Sequence, residues 1–490
     1  MALREDYEVR SIGKNRGKPR IYLDTHQIVR AGFSPGTRYD VIIDGDRVEL
    51  RANKDGSAAL RAVKTLTVSS KKKREKEVPV IDINSAELLK VFDGMDAVRM
   101  IVRQGVIYFL PLASEQHMRD RLQRLRGRAE RAEKFVVASI AHGGGILSRA
   151  IHEGLERAGV ESSLVFANEI RADLIEQAAE KNDVWNEDTR SVIGPMQEIV
   201  QDEWLMERLP KVDVLELGLP CSGATRAGIA KRSLKKMEDH EEVGHLVFAA
   251  LVMLNRMQPA LVVFENVPLY SDTSSASILR KQLRDMGYST HEAILSGKDF
   301  GSLENRVRWC MVATTRGLSF SFDQLAPTLT VVRTLGEVLD DIPDDDPRWS
   351  NMEGLKAKQV RDREKGSNFK MQVFNKDSTF IGTLTKGLSK NRSTDPKIAN
   401  EKDPSLLRVL TANEHARIKG VPESLIEGLS HTIAHEMLGQ SIVYEPFAAV
   451  EKRMEECILR YLDEVRANQV VGEKKPKTSQ ATARRRAVVG

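Results

Sequence analysis

Cys221 follows an apolar run. Val212-Asp213-Val214-Leu215-Glu216-Leu217-Gly218-Leu219 leads into Pro220-Cys221, then Ser222, Gly223, Ala224 and Thr225. The run reads as a buried parallel strand, and the small residues as a loop at its C-terminal end, where ligands and catalytic groups gather in α/β sheets. Forty-four positions on, a second apolar strand, Leu261-Val262-Val263-Phe264, ends in Glu265-Asn266-Val267. A thiol and a carboxylate at the ends of two strands of one sheet form a covalent-catalysis pair in outline.

The elements that must position this pair begin at Phe135. Phe135–Ile140 reads as a strand, Gly143-Gly144-Gly145 as a glycine turn and 146–158 as an amphipathic helix. Leu164-Val165-Phe166-Ala167 is the next strand and ends at Asn168-Glu169. Such a βαβ unit holds an adenosine-bearing cofactor: Gly143 and Gly145 let the backbone approach it, and Glu169 accepts hydrogen bonds from ribose hydroxyls. No lysine follows in the P-loop pattern, which argues against a nucleoside triphosphatase.

Composition sets the outer bounds. The chain has 490 residues, 41% of them hydrophobic, enough for two to four domains. Its net charge is only +5, but the basic residues cluster, which favours an anionic partner. The three cysteines, Cys221, Cys310 and Cys457, are far apart and have neither metal spacing nor a disulfide framework, so a reducing compartment is expected and no metal. The stretch Met1-Ala2-Leu3-Arg4-Glu5-Asp6 does not read as a signal peptide, and no apolar run is long enough to span a bilayer. The expectation is a soluble cytoplasmic protein.

The first 113 residues look duplicated. Ile21-Tyr22-Leu23-Asp24, a short helical piece, Tyr39–Ile43, the turn Asp44-Gly45-Asp46 and Val48-Glu49-Leu50 form one unit. Ile81-Asp82-Ile83-Asn84, Leu88–Phe92, the turn Asp93-Gly94, Ala97–Val102, Gln104-Gly105 and Val106–Leu110 repeat the order about sixty residues later. Gly17-Lys18-Pro19-Arg20-Ile21-Tyr22-Leu23 with Ala31-Gly32-Phe33-Ser34-Pro35-Gly36 resembles the swapped-hairpin AbrB-like and SymE-like DNA-binding domains. The resemblance implies that two units form one small barrel; two unrelated hairpins are the alternative. Ser69–Lys76 reads as a charged linker and 114–134 as a basic connecting helix.

Five short motifs, in order over about 135–455, resemble those of the cytosine-5 DNA methyltransferases. Pro220-Cys221-Ser222-Gly223-Ala224-Thr225-Arg226-Ala227-Gly228 is similar to their Pro-Cys loop, and Phe264-Glu265-Asn266-Val267-Pro268 to their Glu-Asn-Val motif. Glu304-Asn305-Arg306-Val307-Arg308 resembles their double-arginine motif. Arg408-Val409-Leu410-Thr411 with Glu414, Arg417, Gly420 and Pro422 resembles the motif after their recognition region, and Gly439-Gln440-Ser441-Ile442 the last one. The resemblance implies a Rossmann-like α/β fold, S-adenosylmethionine as cofactor and double-stranded DNA as partner. It makes Cys221 the nucleophile at cytosine C6, Glu265 the group at the N3 edge and Arg308 the cation near O2, with Arg306 organising the site or a phosphate. It also implies base flipping, since a stacked base cannot present C6 to a thiol. Asp188 would suit the adenine amino group, and Pro220, Gln440 and Ser441 would line the cofactor site.

The chain departs from this family at Ser139–Ser148, where no Asp or Phe takes the expected places. Glu304 stands where the family usually has Gln, and Gln440 where it often has Asn. The expected layout is a β module over 1–113, the helix 114–134, a catalytic domain over 135–316, a recognition region over 317–405, a return to the catalytic domain over 406–465 and a disordered basic tail over 466–490. Within the recognition region, Asp340–Asp346 is acidic and suited to face away from DNA, while Lys386, Lys390 and Arg392 lie in a basic loop suited to touch it. The expected setting is a monomer of prokaryotic or phage origin, associated with the nucleoid and accompanied by a restriction endonuclease. A tRNA cytosine methyltransferase of the same fold and a regulator with a decayed catalytic half are the alternatives.

Overall fold

The computed structural model describes residues 5–473 except 25, 54–55, 57–58, 74–75, 326–332 and 367–368. The chain divides into two units, 1–120 and 121–490.

Unit 1 is mainly β. Its strands are β1 (Asp6–Ser11), β2 (Gly13–Asn15), β3 (Lys18–Leu23), β4 (Arg38–Asp44), β5 (Arg47–Asn53), β6 (Ala62–Thr67), β7 (Ser69–Lys73), β8 (Lys76–Asn84), β9 (Ala97–Arg103) and β10 (Val106–Pro111). They form two sheets, ordered β1-β9-β10-β5-β4-β6 and β2-β3-β8-β7. Both orders read the same from either end when each strand is exchanged for its counterpart in the other repeat. The register repeats this: Ile21 pairs with Ile83 and Leu23 with Ile81, while Leu50 pairs with Ile107 and Val48 with Phe109. These eight side chains are buried, so each repeat supplies half of one core. The stretch at 69–76, expected as a linker, is instead a hairpin: β7 pairs with β8 from Ser69↔Val80 to Lys73↔Lys76. Lysines carry little apolar signal of their own; the buried Val80-Ile81 end of β8 fixes the strand, and β7 follows by backbone pairing. Arg74 and Glu75 of that stretch lie outside the described residues.

Unit 2 is built on a seven-stranded sheet. Its strands are β11 (Phe135–Ile140), β12 (Ser162–Glu169), β13 (Arg190–Ile193), β14 (Val214–Leu217), β15 (Leu261–Asn266), β16 (Tyr288–Ser296) and β17 (Val307–Thr315). The order is β13-β12-β11-β14-β15-β17-β16, with the first five parallel and β17 antiparallel to both neighbours. Helices cover both faces, which explains why β14 and β15 read as unbroken apolar runs. The order reverses between β11 and β14, and such a switch point opens a crevice at the strands' C-terminal ends.

The helix Ala113–Arg131 carries the basic stretch. Its charge is spent internally. Arg121 is fully buried and bonds to Thr315 Oγ1 at 3.0 Å, Gln258 Oε1 at 2.7 Å and Met286 O at 2.9 Å. Arg124 and Arg128 pair with the buried carboxylate of Asp213, at 3.2 and 2.7 Å.

A small three-stranded sheet, β18 (Val373–Phe374), β19 (Lys397–Ala399) and β20 (Leu407–Arg408), lies within the expected recognition region and just past it. The last helix runs Tyr444–Glu473, past position 466 where the tail was expected to begin; residues 474–490 lie outside the described residues. Among the described residues no helix is long and apolar enough to cross a membrane.

Candidate active site and cofactor cradle

Cys221 sits in the loop after β14, where its thiol is half-buried. Its carbonyl accepts hydrogen bonds from the N–H groups of Ala224 (2.9 Å) and Thr225 (3.1 Å). Thr225 then caps the helix Arg226–Arg232 by accepting from Gly228 N–H. A Cβ at Gly228 would stand 1.8 Å from Ser222 O, so only glycine allows the loop to close on itself. Asn266 Nδ2 donates to Leu219 O at 3.0 Å and ties the cysteine loop to the end of β15.

Glu265 and Arg308 come together by sheet geometry. Glu265 lies opposite Cys310 in the β15–β17 register, and Arg308, two residues from Cys310, projects from the same face. Arg308 Nε stands 2.7 Å from Glu265 Oε1. Burial pushes the Cys221 thiol above its ordinary range; Glu265 pushes it the same way, while Arg308 and Arg306 pull it down. Cys221, Glu265 and Arg308 thus share one electrostatic environment at the ends of β14, β15 and β17.

Arg306 is buried, and its charge also acts on the Cys221 thiol. It donates to Leu384 O (3.1 Å) and Gly439 O (2.8 Å), and its other partner is Glu304. Glu304 in turn accepts from Leu384 N–H at 2.8 Å and pairs with buried Lys419 at 2.7 Å. Glutamate at this position is explained by Lys419, whose amine burial brings down to about 7. Sequence reasoning missed this trio; a charged residue where an amide is usual, followed far downstream by an unassigned lysine, was the signal available.

The glycine turn after β11 forms a cradle. Gly143 and Gly145 have φ of +58° and +75°, a region that favours glycine. Gly143 has open space where a side chain would stand, and its N–H donates to Glu169 Oε2 at 2.8 Å. Glu169 Oε1 accepts from Ile170 N–H (2.9 Å) and Arg171 N–H (3.1 Å), which fixes the carboxylate at the strand end and leaves it room to accept from a hydroxyl. Gly144 packs against Met437, whose sulfur a Cβ would meet at 2.2 Å, so the helix His431–Gln440 closes over the turn. That helix ends at exposed Gln440, and Ser441 caps back onto Leu438 O at 2.7 Å. The ring of His142 is buried between Ser139 Oγ (2.8 Å) and Trp185 Nε1 (3.3 Å) and fills the space beneath the turn. These residues fit an adenosyl group: open backbone at Gly143, a fixed carboxylate at Glu169, and the exposed apolar side chains of Ile170 and Ile193 on either side of it.

Asp188 is not brought to this cradle. β13 begins after it, and Glu169 pairs with Ile193 at that strand's far end. Gly194 N–H donates to Glu169 O, so the residues beside the carboxylate are Ile193, Gly194 and Pro195. Asp188 instead lines a separate hollow of about 680 Å³ at the N-terminal edge of the sheet, with Ser162, Ser163 and Trp185. Pro220 immediately precedes Cys221 in the loop after β14.

Lys386, Lys390 and Arg392 are exposed, and none has an ion-pair partner among the described residues. The Lys386 backbone rests on Gly439, where a Cβ would stand 2.1 Å from Lys386 N. Three of the five aspartates of the acidic stretch are paired with neighbours: Asp340 with Thr411 and Arg417, Asp344 with Asn400 and Lys402, Asp346 with Arg348. Cys310 and Cys457 are buried in the core. Among the described residues no cluster of ligands suits a metal ion.

The strand order with its antiparallel seventh member, the glycine cradle and the acid at the end of the second strand define the S-adenosylmethionine-dependent methyltransferase fold. The crystal structure of the S. pombe Dnmt2 methyltransferase has this fold, with a TM-score of 0.50 at 18% identity over 66% of this chain and 99% of that one. The family of C-5 cytosine-specific DNA methylases matches residues 148–456, and the chain belongs to that family. Among its relatives, the type II methyltransferase M1.ScrFI of Lactococcus lactis subsp. cremoris is 27% identical over 51% of the chain and 64% of its own length. M.NlaX of Neisseria lactamica is 25% identical over 51% of the chain and 78% of its own length. The chain thus spans somewhat under two thirds of the first of these enzymes.

Proposed function

We propose that this chain is a DNA (cytosine-5-)-methyltransferase that acts on a flipped cytosine through a covalent bond from Cys221 to C6. The observation that carries the reading is the Arg308–Glu265 ion pair beside the Cys221 thiol. In this reading Cys221 Sγ, as thiolate, adds to C6, and the electron pair moves to C5. Arg308 stands at O2 and Glu265 at the N3 edge, where a hydrogen bond or proton offsets the charge that develops on the ring. S-adenosylmethionine supplies the methyl group when bound in the cradle of Gly143, Gly145 and Glu169. C5 then loses its proton and the C6–S bond breaks. Arg306 is a positioning residue that holds the double-arginine strand to Leu384 and Gly439.

Lys386, Lys390 and Arg392 are proposed to meet the phosphate backbone. Unit 1 is read as a tandem swapped-hairpin fold of the AbrB-like and SymE-like kind, on its two-fold strand order. A cytoplasmic role within a restriction-modification system, beside a cognate endonuclease, is proposed from the type II names of the relatives. Trapping on duplex DNA that carries 5-fluorocytosine, with S-adenosylmethionine present, tests the reading. Wild type should form a covalent adduct and Cys221→Ser none. An adduct on 5-fluorocytosine tRNA and none on DNA would overturn the choice of substrate; none on either would overturn the activity.

A further inference from the structure

Lys419 ends the helix Ala412–Lys419 and is fully buried, yet no step of the reaction calls for it. Its ammonium donates to Glu304 Oε2 at 2.7 Å, and Glu304 is fully buried too. Such a pair repays its desolvation only when the remaining lone pairs are also used. Glu304 uses them: its Oε1 accepts from Leu384 N–H at 2.8 Å and from Arg306 at 3.3 Å. One carboxylate thus joins three segments that are far apart in sequence.

The neighbouring bonds show what is held. Asn305 N–H donates to Ile381 O and Ile381 N–H to Leu303 O, both at 2.8 Å, and Thr383 Oγ1 donates to Asn305 O at 3.0 Å. Residues 381–384 are therefore zipped along 303–306. From Leu384 the chain runs directly into the loop of Lys386, Lys390 and Arg392. That loop is braced at its far side, where Asp395 accepts from Arg392 N–H at 2.8 Å and buried Lys397 donates to Arg392 O at 3.0 Å. A shift at Leu384 therefore moves the loop as a piece. On the other side of the zipper, Arg308 follows Arg306 by two residues and meets Glu265.

The groups that act on Lys419 are Glu304 from the loop before β17, Arg306 beside it, Arg308 within β17 and His415 one turn back on its own helix. The Nδ1 atoms of His415 and His435 stand 2.8 Å apart, and burial keeps the His415 ring neutral. The arginines hold their protons at any ordinary pH, so the ammonium is the cation of this group that can give up its charge. Burial brings it down to about 7. A glutamine at 304 would keep an acceptor for Leu384 N–H and need no buried cation. The ion pair is therefore not required for the strand to form, and it can be removed in one step.

We propose that Lys419 is a positioning residue: through Glu304 it sets the 384–392 loop against the arginine strand, so that duplex DNA is held where Arg308 meets the cytosine. This inference rests on the reading of Cys221, Arg308 and the loop given above.

Duplex affinity is measured by fluorescence anisotropy in a Cys221→Ser background, where no adduct forms, and turnover in chains that keep the cysteine. Lys419→Met strands the buried carboxylate and should weaken binding and raise KM for DNA about tenfold, while kcat stays within about threefold. Glu304→Gln should act in the same direction. Glu304→Gln/Lys419→Met should recover to within about twofold of the starting affinity, because the amide keeps the Leu384 bond with no charge left unpaired. Affinity should fall as pH rises through about 7 when Glu304 and Lys419 are both present, and show no such step in the double variant. An ion pair that served stability alone would lower melting temperature without separating KM from kcat. Single variants that bind DNA like the parent chain, or that lose kcat and KM equally, would overturn the inference. Should the single variants fail to fold, the pH profiles decide: no step in the parent chain, or the same step in the double variant, would overturn it. Loss of binding in the single variants of a chain that forms no adduct on 5-fluorocytosine DNA would sink the catalytic reading and leave the positioning role. An adduct in wild type with unchanged affinity in the single variants would do the reverse.

Discussion

Arg308 and Glu265 meet through a 2.7 Å ion pair formed between two strands, at the point where the electrostatics of both act on the Cys221 thiol. The pair makes opposite predictions for its two members. Glu265 raises the thiol and Arg308 lowers it. Glu265→Gln leaves Arg308 unopposed, so the thiol comes down and alkylation of Cys221 by iodoacetamide in mildly alkaline buffer should accelerate. Methylation in the same variant should fall by about 10²–10⁴. Arg308→Met should slow both. Alkylation rates that move in the same direction in the two variants would show that the pair does not set the thiol's state.

The two acids assigned to the cofactor separate in the structure, and calorimetric titration with S-adenosylmethionine distinguishes them. Glu169 is fixed beside the open Gly143 backbone, whereas Asp188 lies before β13, at the opposite, N-terminal end of the strands. Glu169→Ala removes a carboxylate that can accept from a ribose hydroxyl, and should weaken binding by about 1.5–3 kcal/mol, the range for a charge-assisted hydrogen bond. Asp188→Ala should leave affinity unchanged. Equal losses in the two variants would place the cofactor elsewhere.

Why one acid was legible and the other was not is a matter of strand signals. β12 and β14 are apolar and end sharply, so the positions after them, Glu169 and Cys221, can be counted from the sequence. β13 has four residues, Arg190-Ser191-Val192-Ile193, none of them buried, and its ends carry no pattern. Asp188 was therefore assigned to the wrong end of a strand whose limits could not be read. The same holds for β7, where lysines form a strand only because β8 offers a backbone edge. Arg121 illustrates a third case. A run of arginines on a helix reads as a solvated face, yet long-range bonds to Thr315 and Gln258 bury one of them completely. Such contacts join positions far apart in the chain and leave no local trace.

Gly439 is the point at which the 385–392 loop meets the closing helix. A side chain there would collide with the Lys386 backbone, at 2.1 Å from its nitrogen and 2.3 Å from Thr385 C. Backbone cannot yield as a side chain does, so Gly439→Val must push the 385–392 loop away. It would also disturb the Arg306 bond to Gly439 O. DNA affinity and methylation should both drop at least about tenfold, and the melting temperature should fall by a few degrees, as for an overpacked core. Cofactor affinity provides the control. Gly439→Val should reduce it less than DNA affinity, because the glycine faces the loop and Met437 faces the cradle.

A pair of carboxyl groups under the sheet gives the chain a dependence on pH that is separate from catalysis. Glu455 is buried with no hydrogen-bond partner among the described residues, and burial, with the charge of Asp213, pushes it up to about 8 from an ordinary 4.5. Glu451 is buried in the same state, raised by burial and by Glu455 and Glu216. The folded chain therefore holds a proton on Glu455 that the unfolded chain releases. Its contribution is full below the unfolded value of about 4.5 and is lost as pH rises through about 8, by up to about 1.4 kcal/mol per pH unit. Arg124 and Arg128 neutralise Asp213 but make no ion pair with Glu455. Glu455→Gln keeps the shape and removes the titration. It should raise the melting temperature by a few degrees at about pH 9 and leave it nearly unchanged at about pH 5. Calorimetric scans of both proteins across that interval check the sign: a gain that is larger in acid would mean that Glu455 is ionised in the folded chain.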